Sequence, residues 1–327
     1  MLSISNTTVK YSGEVPFTID PISQKNYSEL NIITHAHSDH IKISKNGRYN
    51  AFIAHPATIE LLKQGLDFDA NFIPSEYNKP IKLNGNTITL LNSGHILGSS
   101  AVLVENDKTR FAITGDINTT ETNVSRPIKP IEDLDFMIIE STYGLEKYQF
   151  PKRPEGYTQI NNWVKQAIRN NKMPVIITHR LGKTQEIVKE LNKSNFGYIA
   201  LPTETLDSNE VYNLYGKKLK NMLPLEEVRD ANCVVLPPSK YNQEMINYIS
   251  FISGKRADYL HVTGHNLKNC VNLSSHSDYK GLLDFIGTSK PKMVYTYHGH
   301  TDGLSRGIEK ELGIKSKAAD EINTNTL

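Results

Sequence analysis

The chain has little cysteine and no long apolar run. Its 327 residues include only two cysteines, Cys233 and Cys270, and no Cys-x-x-Cys pair. This excludes a disulfide framework and a cysteine-based zinc knuckle, and it is typical of a reducing compartment. No stretch approaches the length needed to cross a bilayer, and the first residues show neither the basic start nor the apolar segment of a signal peptide. We therefore expect a soluble, cytoplasmic protein that does not act at a membrane.

The chain also lacks a strong charge of either sign. Lysine and arginine number 37 against 35 acidic residues, which gives a formal net charge of +2. Such a balance permits a polyanionic substrate without demanding one. The sequence carries no indication of oligomeric state.

The order of predicted elements indicates an α/β protein with an insertion. In the first half, short apolar strands are separated by turns, with hairpin signals at Asn84-Gly85 and Asn106-Asp107. From about residue 146, strands alternate with helices, as in a separate α/β unit. We therefore predict three segments: 1–145 and 271–327 belong to one domain, and 146–270 form an inserted domain.

The strongest motif is the run His-Ala-His-Ser-Asp-His at residues 35–40. His35 and His37 leave a predicted strand two positions apart and can point the same way toward one ion. Asp39 and His40 follow around the next bend, where they can serve a second ion. Nitrogen and carboxylate ligands suit zinc first, with manganese or iron as alternatives.

Four ligands cannot complete two metal sites, so further ligands are expected downstream. His95 lies between glycines, Asp116 follows Thr-Gly at a strand end, and His298 begins His-Gly-His. Each of these residues could instead be a structural polar residue. Together with residues 35–40, however, they complete the coordination shells of two metal ions. His35, Asp116, Glu140 and His298 each follow a predicted strand, and open α/β sheets gather ligands at that edge.

In this order, the residues resemble the metallo-β-lactamase fold, an αββα sandwich with a dinuclear site at one edge of its two sheets. The resemblance implies two divalent ions, Zn²⁺ first and Mn²⁺ as the alternative. It assigns one ion to His35, His37 and His95, the other to Asp39, His40 and His298, with Asp116 bridging both.

Two further motifs bracket the insertion, Glu-Ser-Thr-Tyr-Gly at residues 140–144 and Ser-Ser-His-Ser-Asp at 274–278. This arrangement resembles the β-CASP nucleases, in which an α/β cap domain interrupts the lactamase-like sandwich and nucleic acid enters the cleft. The resemblance implies that His276 protonates the leaving oxygen, that Glu140 orients His276, and that Asp39 belongs to the catalytic set. The alternatives are that His276 caps the following helix and that Glu140 is a structural acid.

Leu-Gly-Lys-Thr-Gln at residues 181–185 also looks like the cap of that family. A phosphate loop would need glycine where Ile177 stands, so nucleotide binding is excluded. We expect instead a helix start that receives a backbone phosphate, with Lys183, Arg180 and Thr184 as substrate contacts. The alternative for Arg180 is that it covers the sheet edge. The remaining histidines are expected to be structural or at the surface: His55, His261, His265 and His300.

The implied substrate is single-stranded DNA or RNA. The compact length resembles the short ligase-associated DNA exonucleases, also described as mRNA 3′-end processing factors, which would make a ligase or helicase a natural partner. Glutamate at 140 and histidine at 298 instead resemble the RNA-processing members. We favour DNA, with RNA processing as the alternative and a small-molecule thioester or phosphodiester hydrolase as a third class.

Overall fold

A computed structural model describes residues 2–13, 15–265 and 267–319. Contacts between residues divide the chain into two compact units. The sandwich unit comprises Met1–Glu121, Ser125–Gln149 and His276–Leu327, and the inserted unit comprises Thr122–Val124 and Phe150–Ser275. The domain limits at 145 and 270 that we inferred from sequence stay a prediction.

The sandwich unit contains two sheets. The first has six strands paired in chain order: β1 (Leu2–Ser5), β2 (Thr8–Tyr11), β3 (Phe17–Ile19), β4 (Leu30–Ile32), β5 (Ala51–Ala54) and β6 (Phe72–Pro74). The second contains seven strands: β7 (Ile81–Leu83), β8 (Asn86–Asn92), β9 (Ser100–Glu105), β10 (Arg110–Ile113), β11 (Phe136–Ser141), β18 (Met293–Gly299) and β19 (Lys315–Ala318). Their order is β19-β18-β11-β10-β9-β8-β7, so the segments before and after the inserted unit join where β18 pairs with β11.

The two sheets pack face to face around one apolar core. Ile32 and Ile53 from the first sheet share a buried cluster with Ile88, Val102 and Phe111 from the second. These strands alternate inward and outward side chains, so a single sheet face supplies the core.

Helices cover the outer faces of both sheets. On the first sheet lies α1 (Pro56–Lys63), whose Ile59 packs with Phe52. On the second lie α6 (Tyr279–Ser289) and α7 (Thr301–Leu312), whose Leu282 and Leu304 share a cluster with Met137. The unit is therefore an αββα sandwich, which confirms the predicted fold class.

The hairpins predicted from sequence are present. Strands β7 and β8 pair antiparallel across Asn84-Gly85, and β9 pairs with β10 across Asn106-Asp107. Gly85 has φ +76°, a left-handed conformation that glycine adopts without a steric cost.

The inserted unit is a parallel α/β layer. Its strands are β12 (Lys172–Ile177), β13 (Ile199–Leu201), β14 (Met222–Pro224), β15 (Cys233–Leu236), β16 (Arg256–Thr263) and β17 (Cys270–Asn272). They pair in the order β14-β13-β15-β12-β16-β17, every pair parallel. Its helices are α2 (Arg153–Arg169), α3 (Lys183–Lys193), α4 (Thr203–Leu214) and α5 (Gln243–Ser253).

Four short 3₁₀ helices complete the described elements: Gln24–Asn26, Lys45–Gly47, Leu225–Asp230 and Pro238–Lys240. Across the described ranges, no helix combines the length and the apolar character that crossing a membrane requires.

Candidate metal centre

Four side chains from three loops form the first group of metal-binding atoms. His35 and His37 follow β4, His95 follows β8, and Asp116 follows β10. His37 Nδ1 lies 3.1 Å from both His35 Nε2 and His95 Nε2. Asp116 Oδ2 lies 3.5 Å from His35 Nε2 and 3.6 Å from His95 Nε2. The loops thus bring three imidazole nitrogens and one carboxylate oxygen to a single point, as zinc coordination requires.

The second group lies on the other side of Asp116. Asp39, His40 and His298 offer ligand atoms within 4.8 Å of one another. Asp116 Oδ1 lies 3.3 Å from His40 Nε2 and 3.5 Å from His298 Nδ1. Since Oδ2 of the same carboxylate faces the first group, Asp116 can bridge two ions. The structure thus brings together the residues of each ligand set proposed from sequence, and their role as metal ligands stays a prediction.

The structure offers a direct test of whether these residues suit a cation. His40 Nε2, Asp116 Oδ1 and His298 Nδ1 are buried, and none of them makes a hydrogen bond. Buried polar atoms are rarely left without partners, and these three converge on one point. A cation placed there would satisfy all three, so the donor set fits a divalent metal.

Burial keeps the first group in the form that binds metal. It lowers the pKa of His35 well below its ordinary value and that of His37 to about 4, so both imidazoles are neutral near pH 7 and keep a free lone pair. Burial alone raises the pKa of Asp116, but neighbouring His40 and His276 outweigh it and hold that pKa well below the ordinary range. The bridging carboxylate therefore stays ionised.

Asp20, at the end of β3, orients two of the ligands and was missed from sequence. Its Oδ2 accepts a hydrogen bond from His40 Nδ1 at 2.7 Å and from the Thr34 hydroxyl at 2.6 Å. The Thr34 hydroxyl in turn lies 3.0 Å from His35 Nδ1. These bonds place the ring protons on Nδ1 and leave Nε2 of His35 and His40 for metal. The only sequence signal was an aspartate directly after a buried strand.

Glycine conformations shape the loop that carries His95. Gly94 and Gly98 have φ values of +80° and +78°. A Cβ at Gly94 would overlap the main chain of Asn118, and one at Gly98 would lie 2.7 Å from Thr58 N. Only glycine permits this close approach, so the two glycines seen in the sequence fix the direction of the loop.

Glu140 and His276 form a pair beside the metal-binding atoms. His276 Nδ1 lies 3.0 Å from both carboxylate oxygens of Glu140, and the buried carboxylate also accepts the N–H of Ile117 at 2.7 Å. His276 Nε2 points back toward Asp116 Oδ2 at 3.9 Å. The helix-cap alternative for His276 is wrong, because the side chain that caps α6 belongs to Asp278.

Two of the predicted positions differ slightly from the structure. Glu140 and His298 lie inside β11 and β18, one residue before each strand ends, rather than just past them. A register shift between Glu140 and Ser141 interrupts the pairing of these strands, and His298 has φ +53°. Such irregularities redirect side chains at the edge of a sheet.

The predicted substrate contacts are engaged within the inserted unit. The Lys183 ammonium is buried and donates to Leu273 O at 2.7 Å. Arg180 donates to Glu204 O and to the Ser208 hydroxyl, and the Thr184 hydroxyl donates to His179 O. Their role in binding substrate stays a prediction.

The surplus histidines lie outside the metal-binding groups. His55 caps α1 by accepting the N–H of Ala57 and stacks on Tyr77, and His300 stacks on Tyr148. His261 packs edge-on against Tyr241.

The fold and this site are similar to those of metallo-hydrolases with the metallo-β-lactamase fold, and the two residue groups can bind divalent metal. A family model described as the Zn-dependent metallo-hydrolase RNA specificity domain matches residues 260–319. In this matched region and in its relatives, the chain is similar to the metallo-β-lactamase β-CASP nucleases.

Among curated proteins, the chain is similar to one named Probable DNA ligase from Opitutus terrae, with 25% identity over 89% of this chain and 29% of that protein. It is also similar to RNase aCSPSF2 from Saccharolobus solfataricus, with 29% identity over 51% of this chain and 39% of that protein. The matched regions thus span less than half the length of these two relatives.

A solved structure supports the fold alone. The crystal structure of a protein of unknown function from Enterococcus faecalis V583 aligns with a TM-score of 0.60 at 13% identity, covering 90% of this chain and 80% of that one.

Proposed function

We propose that this chain is a two-metal nuclease that hydrolyses phosphodiester bonds of nucleic acid. The observation that carries the proposal is the position of the Glu140–His276 pair beside two groups of ligand atoms that share Asp116. Every dinuclear hydrolase, whatever its substrate, needs two groups of metal ligands. A histidine oriented by a carboxylate adds a proton donor for a poor leaving group.

The chain's own residues account for the acid step. Glu140 accepts the Nδ1 proton of His276, which leaves Nε2 to carry the proton that is transferred. The carboxylate also stabilises the imidazolium, the form that donates. When bound, the two ions supply a water of lowered pKa and neutralise the charge that develops on the phosphoryl oxygens.

For the metal, we propose zinc first and manganese as the alternative. Imidazole nitrogens dominate the first group, which zinc favours. The family model is described as zinc-dependent. Manganese stays the alternative because the second group, Asp39, His40 and His298, has a larger share of oxygen ligands, which manganese accepts.

For the substrate, we propose single-stranded DNA, cleaved as by an exonuclease. The relative named Probable DNA ligase matches 89% of this chain within a much longer protein. The name of this longer relative supports DNA-repair partners such as a ligase or helicase.

RNA processing is the second candidate, because three observations favour it. Glu140 and His298 resemble the residues of the RNA-processing members. A second relative is named an RNase, and the family model is described as an RNA specificity domain. The substrate class must therefore be decided by direct comparison.

The test is incubation of the purified chain with end-labelled single-stranded DNA and RNA of the same sequence, with Zn²⁺ or Mn²⁺. We expect cleavage of the DNA strand as a ladder that shortens from one end. Cleavage of the RNA strand alone supports the second candidate. Failure to cleave either polymer, in a sample that hydrolyses a thioester or a small phosphodiester, contradicts the nuclease proposal.

The variant His276→Ala separates the acid from the metal ligands. We expect it to retain the metal content of the unaltered chain and to lose about 10²- to 10⁴-fold in turnover, the usual contribution of a general acid. Asp39→Ala should lose metal, about one of the two ions, and activity together. Full activity of His276→Ala on both polymers contradicts the acid assignment.

A further inference from the structure

The inserted unit contains a cluster of buried charged side chains that the proposed chemistry does not use. Lys183 at the start of α3 is buried, the Arg153 side chain at the start of α2 is 9% exposed, and buried Glu186 interacts with both. Arg153 pairs with Glu186, and the Tyr157 hydroxyl donates to the same carboxylate at 2.6 Å. Burying such groups is costly unless each is paired, so the cluster needs an explanation.

The Lys183 and Arg153 side chains hold the carbonyl groups of consecutive residues. Lys183 Nζ donates to Leu273 O at 2.7 Å, and Arg153 Nη2 donates to Ser274 O at 2.6 Å. Leu273 is held on two further sides: its N–H donates to Thr263 O at 3.2 Å, and its side chain packs against Gly156 so closely that a Cβ there would lie 3.1 Å from it.

This anchored segment directly precedes the proposed acid. Ser274 and Ser275 end the inserted unit, and His276 is the next residue of the chain. The Glu140 hydrogen bond fixes the rotation of the imidazole, but it cannot by itself fix the main chain from which the side chain extends. Placement of a catalytic group requires both.

We propose that Lys183 and Arg153 are positioning residues, which act by holding the carbonyl groups of Leu273 and Ser274 so that His276 is placed for proton donation. The inference rests on the proposed function. It also gives Lys183 a role different from the phosphate contact expected from sequence. The Lys183 side chain is buried, and burial lowers its pKa to about 7. This environment is consistent with a positioning role. A phosphate contact would instead need an accessible, fully charged ammonium.

The chain offers a matched control on the same helix. Lys189 also donates to two main-chain carbonyl groups, at 2.7 Å to Lys217 O and 3.2 Å to Lys218 O. Those residues lie far along the chain from His276. Lys183→Met and Lys189→Met therefore remove the same kind of bond, and Lys183→Arg keeps a donor at the first position.

The experiment compares two oligonucleotides that differ in one atom. In one, the bridging leaving oxygen of the scissile linkage is replaced by sulfur, which departs without protonation. We expect Lys183→Met to lower kcat on the oxygen linkage about 10- to 100-fold, part of what a general acid contributes, with KM unchanged. On the sulfur linkage the loss should stay below about threefold. Lys183→Arg should recover most of the loss, and Lys189→Met should resemble the unaltered chain.

A double variant tests whether Lys183 acts through His276. Adding Lys183→Met to His276→Ala should cost little more on the oxygen linkage, since residues that act as a unit are not additive. Equal losses on both linkages, or a fully additive loss in the double variant, overturns the proposal. A raised KM with a weaker salt dependence also overturns it and supports the phosphate contact instead.

Hydrogen exchange supplies a readout that does not depend on activity. Amides of residues 271–276 should exchange faster in Lys183→Met than in Lys189→Met, because the anchor of that segment is lost. Unchanged exchange in Lys183→Met contradicts the anchor itself. If the unaltered chain cleaves neither polymer, the proposed function fails, and the exchange result still decides whether the anchor exists.

Discussion

Asp20 shows how one buried carboxylate prepares ligands for both ions. It accepts the His40 Nδ1 proton directly and reaches His35 through the Thr34 hydroxyl. His40 belongs to one ligand group and His35 to the other. A carboxylate that fixes ring orientation and tautomer in this way strengthens metal binding without touching the metal.

We therefore expect Asp20→Asn to weaken metal affinity about 10- to 100-fold, the usual cost of removing such a partner. Zinc affinity can be measured by competition with a chromogenic chelator. The control is Glu76→Gln, which alters a half-exposed carboxylate 3.5 Å from His55, away from the metal-binding groups. Equal affinities for both variants would show that Asp20 does not orient the ligands.

The metal ligands of residues 35–40 could be predicted from the sequence, whereas the role of Asp20 could not. His35, His37, Asp39 and His40 are adjacent in the chain, so their spacing alone predicted a shared role. Asp20 acts through contacts with residues 14 and 20 positions away. That role depends on how β3 pairs with β4, which no local pattern specifies.

At the scale of elements, the loop between β8 and β9 depends on Gly94. We expect Gly216→Ala, at a position with φ +77° and open space, to cost about 1 to 2 kcal/mol for the left-handed conformation. Gly94→Ala should cost more, because the Asn118 main chain must also move, and it should weaken metal binding through the adjacent His95.

Denaturant unfolding and chelator competition on both variants measure these effects. Equal losses of stability and equal metal binding in Gly94→Ala and Gly216→Ala would show that the β8–β9 loop does not depend on Gly94.

The helix start at Lys183 predicts a pH dependence of stability. Burial is the main cause that lowers the pKa of Lys183 to about 7 from its ordinary value of 10.5. Between these pH values the unfolded chain holds a proton that the folded chain lacks, so this residue makes stability rise with pH across that window.

Melting temperatures of the unaltered chain and Lys183→Met, measured between pH 7 and 10, test this dependence. The melting temperature of the unaltered chain should rise relative to that of the variant as pH increases. Parallel curves would mean that the lysine keeps its ordinary pKa in the folded protein.

Elements were predictable where a local signal marks them. The Asn84-Gly85 turn predicted the β7–β8 hairpin, and the strand-end positions of His35 and Asp116 followed from short apolar runs. The positions of Glu140 and His298 were off by one residue, because the bulge between β11 and β18 arises from pairing between residues that are distant in the chain, such as Glu140 and Tyr297. The hydrogen bonds to Leu273 O and Ser274 O also join residues that are distant in the chain, so no local pattern predicts them.

At the scale of the whole molecule, the sandwich unit is assembled from segments on both sides of the insertion. Strand β18 pairs with β11 only after the chain has passed through the inserted unit. His298 therefore reaches Asp116 from the far end of the sequence. Contacts at such separation are slow to form, yet they complete the second ligand group.

The proposed function requires that two ions held by this set of residues carry out cleavage of nucleic acid. The most direct measurement is titration of the metal-free chain with Zn²⁺ or Mn²⁺, with bound metal and cleavage of a labelled strand read from the same samples. We expect two equivalents to bind and cleavage to rise with the second, while Asp39→Ala binds about one and stays inactive and His276→Ala binds two without efficient cleavage. Undiminished cleavage by the metal-free chain, or by Asp39→Ala with one ion bound, would contradict the account.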